Sequence, residues 1–407
     1  MSRIKEYMKN RQKSMKSLEK YEDEYDDGFE RKIKTHKRRV LIFTLSVVII
    51  AIATAVIIRI SIDRKVYDKY EVREEIEMES TYGGSFYEFA GKILHYSNDG
   101  IAYIDGKNTI WNQPFEMKNP RLDICEDTVS IAEYQGTAVY IYNKSGALGQ
   151  ITSKYPIESL SISSKGIVAL ITSDKKVNYI EIYDKAGNEL VEGQASLETD
   201  IGYPLALGIS NDGTKMITSY LYMDGTSVQT KLVFYNFSEV GKNNVDRIVG
   251  VFNHYKSTIV PKVEFINNDK AVAYGDNIIT LYSVTQKPDK IFEKEFDDKI
   301  KSVFYSDKYV GLVLKTNDND KPYNIIVYDE NGKECLNKKT ATEYKNIKFD
   351  GKNVLLYNDI DIEVIAFNGV VKYKDTFNEE IEDILTTGKA YTYMVVTESD
   401  IKKIRLK

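Results

Sequence analysis

A short marker returns at near-regular steps along most of the chain: an apolar residue, an aromatic or apolar residue, then Asp, Asn or Ser, often with Gly close behind. It reads Tyr103-Ile104-Asp105-Gly106, Ile141-Tyr142-Asn143, Ile182-Tyr183-Asp184, Phe234-Tyr235-Asn236, Leu281-Tyr282-Ser283, Val327-Tyr328-Asp329 and Ala366-Phe367-Asn368-Gly369, with a degenerate eighth at Lys403-Ile404-Arg405. From Ile104 onward the steps are 38, 41, 52, 47, 46, 39 and 37 residues. A period near 40 built from short alternating runs is the pattern of a β-propeller, in which each unit is a four-stranded blade. Each marker is expected to end a strand whose apolar side chain packs between neighbouring blades. The Asp or Asn then opens a tight turn, and Gly accepts the positive φ that the turn requires.

A second marker keeps the same phase. Turns at Glu126-Asp127, Lys165-Gly166, Asn211-Asp212-Gly213, Asn268-Asp269, Ser306-Asp307, Asp350-Gly351 and Thr387-Gly388 precede the later markers. Most follow a short strand-like run such as Leu122-Asp123-Ile124 or Val263-Glu264-Phe265. The expected fold is therefore all-β, an eight-bladed propeller over residues 85–407, with seven blades compatible with one mode of closure. The last unit stops at its third strand, so its outer strand is expected from the N-terminal side, with Ser85–Ala90 as the candidate. The 31 Tyr residues against a single Trp and seven Pro fit a β-rich chain.

Ahead of the repeats, residues 40–58 (VLIFTLSVVIIAIATAVII) carry no charge, Pro or Gly. Nineteen helical residues span about 28 Å, the thickness of a bilayer's hydrocarbon core. Their thirteen Leu, Ile, Val and Phe side chains favour insertion by roughly 4 to 8 kcal/mol. A cleavable signal peptide has a shorter apolar stretch and a short leader, whereas 39 residues precede this one. Arg31, Lys32, Lys34, Lys37, Arg38 and Arg39 precede the run, and Arg59, Arg64 and Lys65 follow it. That asymmetry predicts a cytoplasmic N-terminus and an extracytoplasmic body. The expected organisation is a basic cytoplasmic tail (1–39), a transmembrane helix (40–58), a stalk (59–84) and the propeller (85–407), in a single-pass protein of the cell membrane.

Charge follows this division. The tail carries a net +5 and residues 40–65 a further +2, so the total of −5 leaves −12 for residues 66–407. An acidic body argues against nucleic acid as its partner, because phosphate contacts need a Lys and Arg surplus. The tail's acidic stretch, residues 19–27, reads as a solvated segment. Cys125 and Cys335, far apart in sequence, read as two separate core thiols.

Several stretches resemble an uncharacterised family of N-terminally membrane-anchored propeller proteins from clostridia-like Gram-positive bacteria. They are Gly100-Ile101-Ala102-Tyr103-Ile104-Asp105 leading to Trp111-Asn112-Gln113-Pro114-Phe115, Ser219-Tyr220-Leu221-Tyr222, Phe234-Tyr235-Asn236-Phe237, Val245-Asp246-Arg247 and Thr258-Ile259-Val260-Pro261-Lys262-Val263-Glu264-Phe265. The resemblance implies the same architecture and location and no activity. More distantly, the blades are similar to WD40-like and quinoprotein-like repeats.

No catalytic constellation emerges, so the expectation is a protein that is not an enzyme and needs no cofactor. Quinoprotein blades carry a docking Trp in most repeats, and here only Trp111 is present. Ser210-Asn211-Asp212-Gly213-Thr214 lacks the Trp of a sialidase-type box and reads as a blade turn. The scattered His36, His95 and His254 do not form a metal-ligand pattern. Asn317-Asp318-Asn319-Asp320 lacks the Gly and distal Glu of an EF-hand loop. The long connection over residues 238–260 is the candidate binding region, because long loops on a rigid ring are where recognition concentrates. Its Asp246, Arg247, His254 and Tyr255 suit a sugar, peptide or protein partner. The leading functional expectation is a binding or scaffolding module of the cell envelope that holds an envelope protein or glycan. An envelope carbohydrate-active hydrolase with carboxylates in a central funnel is the alternative, and a transmembrane sensor is a second.

Overall fold

Within each blade the two middle strands are apolar on both faces, because a blade must bury both sides against its neighbours. In the strand Val168–Asp174, Val168 and Leu170 enter the core shared with the preceding blade, while Ala169 and Ile171 enter the core shared with the next. Alternation thus feeds two cores at once. The structure, a computed structural model, describes residues 2–77, 84–175, 177–195, 202–255 and 258–407. The side chains of 2, 22–31, 59, 62, 194 and 195 are outside that description. The side chains of most of the acidic stretch 19–27 and of the flanking Arg31 and Arg59, and the whole of 78–83 in the expected stalk, therefore lie outside the described residues.

The chain divides into two compact units, residues 1–65 and 66–407. In the first, a single helix runs from Ser2 to Arg64 and contains a stretch long and apolar enough to cross a membrane. The few hydroxyls in that stretch are satisfied along the helix itself. Thr44 Oγ1 donates to the Val40 carbonyl at 3.0 Å, Ser46 Oγ to Phe43 at 2.7 Å, and Thr54 Oγ1 to Ile50 at 2.6 Å. A helix closed on its own hydrogen bonds is what a lipid environment requires.

The second unit is an eight-bladed propeller of eight four-stranded antiparallel sheets. Blades 1 to 7 are formed by consecutive strands over residues 85–114, 120–152, 157–195, 203–255, 262–295, 300–340 and 346–376. The repeated marker falls at the end of every third strand. There Asp184 Oδ1 accepts the Ala186 and Asn188 amides, and Asp329 Oδ1 accepts those of Asn331 and Lys333. The 52-residue step comes from a hairpin of two ten-residue strands, Lys215–Asp224 and Ser227–Asn236. Residues 238–260 are not one long connection, because the outer strand Ile248–Tyr255 of blade 4 lies within them.

Closure differs from expectation in its donor. Blade 8 takes three strands from residues 383–406, and its outer strand is Tyr70–Glu77, from the stretch expected to be a stalk. Tyr70 pairs with Leu406 and Glu77 with Asp400. Ser85–Phe89, the expected closing strand, is instead the first strand of blade 1. The physical reason is that Ser85–Phe89 buries Phe86 and Phe89 as an inner strand does, whereas Tyr70–Glu77 is exposed along most of its length, as an outer edge is.

Candidate functional site in the central channel

The first strand of each blade is short, and in several the residue between two apolar positions is polar: Leu122-Asp123-Ile124, Leu160-Ser161-Ile162, Val263-Glu264-Phe265 and Ile347-Lys348-Phe349. The apolar neighbours go into the inter-blade cores. The polar residues between them line a central channel formed by two cavities. One, of about 420 Å³, is bounded by blades 2 to 6 and lined by Asp123, Ser161 and Glu264 among others. The other, of about 650 Å³, is bounded by blades 1, 6, 7 and 8 and includes Tyr87, Lys348 and Asp383 in its wall. Tyr305 borders both.

The first cavity holds a polar cluster. Asp123 accepts the Ile162 amide at 2.8 Å and a hydrogen bond from Ser161. Enclosure by the channel wall, followed by the Glu264 charge, pushes its carboxyl up to about 7. Ser161 Oγ in turn accepts the Ile209 amide at 3.4 Å, so the network runs across three blades. Glu264 binds Lys262 Nζ at 2.5 Å, and that ammonium lies 5.5 Å over the Tyr305 ring. Desolvation of the hydroxyl by the channel wall and then the Glu264 charge raise Tyr305 well above its ordinary value, so it stays protonated and hydrogen-bonds to Glu264.

The second cavity repeats the arrangement. Asp383 Oδ1 binds Lys348 Nζ at 3.0 Å and accepts the Tyr357 hydroxyl and the Ile384 amide. Lys348 Nζ lies 5.1 Å over the Tyr357 ring. Tyr87 stacks on Tyr96 at 5.9 Å, and desolvation raises its hydroxyl to about 12. Tyr87 and Tyr305 are each 40% exposed, which leaves aromatic surface open to the channel.

The four residues expected to bind a partner are not brought together. Asp246 and Arg247 occupy a tight turn with φ of 53° and 61°, before the outer strand of blade 4. His254 and Tyr255 end that strand, about 23 Å away at roughly 3.3 Å per residue. His254 Nε2 lies 2.7 Å from Glu293 of blade 5. Tyr255 is buried, with its hydroxyl 2.6 Å from that of Tyr282, and so holds blades 4 and 5 together. Asp212, in the partial sialidase-type box, accepts Ser210 Oγ, the Thr214 amide and Thr214 Oγ1, and closes a blade turn. Asp318 caps its own hairpin loop through the Asp320 and Lys321 amides. Cys125 and Cys335 are free thiols in blades 2 and 6. The channel residues were missed because each is one polar residue among many. Superposing the repeats would place several of them at one position of the unit.

A family profile described as "Family of unknown function (DUF5711)" matches residues 63–406. No protein of curated function matches the chain. Among solved structures, the chain is similar to Sqt1 of Chaetomium thermophilum bound to the N-terminus of the ribosomal protein L10. The identity is 10% and the TM-score 0.54, covering 83% of this chain and 100% of that one. It also aligns with Hsv2 of Kluyveromyces lactis at 10% identity and a TM-score of 0.47, covering 72% of this chain and 99% of that one. The Sqt1 likeness is one of fold alone.

Proposed function

The chain belongs to the DUF5711 family of unknown function, and we propose that it is a membrane-anchored, non-enzymatic recognition module of the cell envelope. On this reading the helix anchors the chain with its N-terminus in the cytoplasm, and the propeller holds an envelope protein or glycan. The observation that carries it is the channel wall, whose carboxylates are already engaged by neighbouring groups. Asp123 is held by Ile162 and Ser161, Glu264 by Lys262 and Tyr305, and Asp383 by Lys348 and Tyr357. Groups fixed in this way present a rigid pattern for recognition and leave little freedom for proton shuttling. The Sqt1 structure contains a bound protein segment, which illustrates the use such a ring can serve. The test is photo-crosslinking of the intact protein in its native membranes, followed by pull-down. A discrete crosslinked envelope partner is expected, and recovery of none would count against the reading.

One observation favours the hydrolase reading. Asp123 and Glu264 line the same cavity, and a carboxyl held near 7 is suited to act as a general acid. Incubation with cell-wall glycans separates the two readings. New reducing ends that disappear in Asp123→Asn and Glu264→Gln would establish the hydrolase.

A further inference from the structure

Blades 8 and 1 meet at the thinnest of the inter-blade cores, with five buried apolar side chains among the described residues against 8 to 12 in each of the others. A cavity of about 170 Å³ opens onto this core and shares no lining residue with either channel cavity. Its floor is Ile76, Ile93, Ile104, Met394 and Ile401, of which Ile93 and Ile401 are buried members of the core itself. Two features leave the space open. The outer strand Tyr70–Glu77 supplies Ile76 alone to this core, and the adjoining turn carries Gly91, where an added Cβ would meet no atom within 4 Å. Unfilled volume forfeits the dispersion contacts of the side chains around it, and an apolar occupant restores them.

The rim is charged, and unlike the propeller as a whole it holds more cations than anions. Lys92, Lys389 and Lys403 stand against Glu74 and Asp105. Lys92 pairs with Asp105, and Lys403 lies 3.6 Å from Glu74. Among the described residues, Lys389 has no carboxylate partner. In a body of net −12, an apolar pocket with an uncompensated ammonium at its mouth suits an alkyl chain that ends in an anionic head. An apolar cavity of about 150 Å³ holds a benzene-sized group, so the chain inside this one is about six carbons long. We propose that the pocket between blades 8 and 1 binds a free fatty carboxylate, with its alkyl chain on the isoleucine floor and its head at Lys389.

This site goes beyond the reading of the ring as a recognition module and does not depend on it. Its floor is built from both sides of the seam: Ile76, Met394 and Ile401 come from blade 8, and Ile93 and Ile104 from blade 1. A ligand seated there touches both blades and is lost when they separate. It therefore slows opening of the seam by the factor 1 + [L]/Kd, about elevenfold at ten times Kd. Occupancy thus sets how firmly the ring is closed.

The experiment is hydrogen exchange of the full-length chain in phosphatidylcholine nanodiscs, with hexanoate, acetate or hexylamine added at equal ionic strength. Hexanoate should slow exchange of the Lys92–Ser97 amides by about fivefold or more and leave those of Lys270–Tyr274, in blade 5, unchanged. Acetate has the head without the chain and should have no effect, and hexylamine should protect less than hexanoate. No selective slowing by hexanoate, or equal slowing by acetate or hexylamine, overturns the proposal. Ile76→Trp, whose indole takes up the cavity, should abolish the hexanoate effect, and a folded variant that keeps it overturns the proposal. Should that variant fail to fold, Lys389→Glu in its exposed turn decides. Preference should then pass from hexanoate to hexylamine, and an unchanged preference overturns the proposal.

Discussion

Asp123 and Asp212 are both blade carboxylates, yet their surroundings push them in opposite directions. Asp212 is held below its usual range by hydrogen bonds from Ser210 and Thr214, which outweigh its desolvation. Its contribution to stability is present above the unfolded value near 4 and is lost as pH falls through the lower folded value. Asp212→Ala should cost about 1–2 kcal/mol at pH 7, from the turn's lost hydrogen bonds, and less at pH 2.5. Asp123 runs the other way. Its folded value, about 7, lies above the unfolded one, so above pH 7 the fold carries an ionised, poorly solvated carboxylate. As pH falls from about 7 toward 4, the folded chain takes up the proton first and gains stability relative to the unfolded chain. Asp123→Asn, which never ionises and can still accept from the Ile162 amide, should stabilise the chain at pH 8 by about 1–2 kcal/mol and by little at pH 4. Urea unfolding at the two pH values measures both effects. A native chain more stable than the Asn variant at pH 8 would contradict the assigned environment.

Eight inter-blade cores hold the ring together, and they are unequal. Among the described residues, seven contain between 8 and 12 buried apolar side chains. The core between blades 8 and 1 contains five: Phe86, Ile93, Leu385, Val396 and Ile401. A cavity of about 170 Å³ lies beside it, lined by Ile76, Ile93 and Ile401 among others. The closing strand adds little burial there and relies on its ladder and on ion pairs: Glu71 with Lys407 at 2.6 Å, Glu74 with Lys403 at 3.6 Å and Glu75 with Lys402 at 3.8 Å. Exposed pairs of this kind contribute at most about 1 kcal/mol each and are screened by salt. The ring should therefore open first at this seam. In hydrogen exchange, amides of the blade 1 strand Lys92–Ser97 should exchange before those of the blade 5 strand Lys270–Tyr274, and high salt should widen the gap. Both are second strands, so edge position does not bias the comparison, and the reverse order would refute the weak seam. The same contrast explains what the sequence made legible. The third strands stood out because Tyr142, Tyr183 and Tyr282 are buried before a turn that demands Asp, Asn or Ser. Tyr70–Glu77 did not, because a strand held by backbone pairing and ion pairs has no need of apolar alternation. Asp123 and Glu264 were hidden for a related reason. A polar residue facing an inner channel reads the same as one facing bulk water.

At the scale of the whole molecule, charge and hydropathy divide the chain where the structure does. Residues 1–39 carry +5 and residues 66–407 carry −12, and the two compact units meet between residues 65 and 66. An acidic ring placed outside a membrane is repelled by anionic envelope polymers, so what it retains must be held by specific contacts or carry positive charge. That makes topology the premise on which the functional reading depends, and it can be measured directly. With Cys125 and Cys335 changed to Ser to clear the background, single cysteines are placed at Ser17, exposed in the helical unit, and Ser227, exposed at the tip of the blade 4 hairpin. A membrane-impermeant maleimide applied to intact cells should label Ser227→Cys and spare Ser17→Cys until the membrane is permeabilised. Labelling of Ser17→Cys alone would invert the orientation and place the acidic ring in the cytoplasm. Equal labelling of neither site before permeabilisation and of both after it would leave the entire chain inside, and the apolar stretch would then need a role other than spanning.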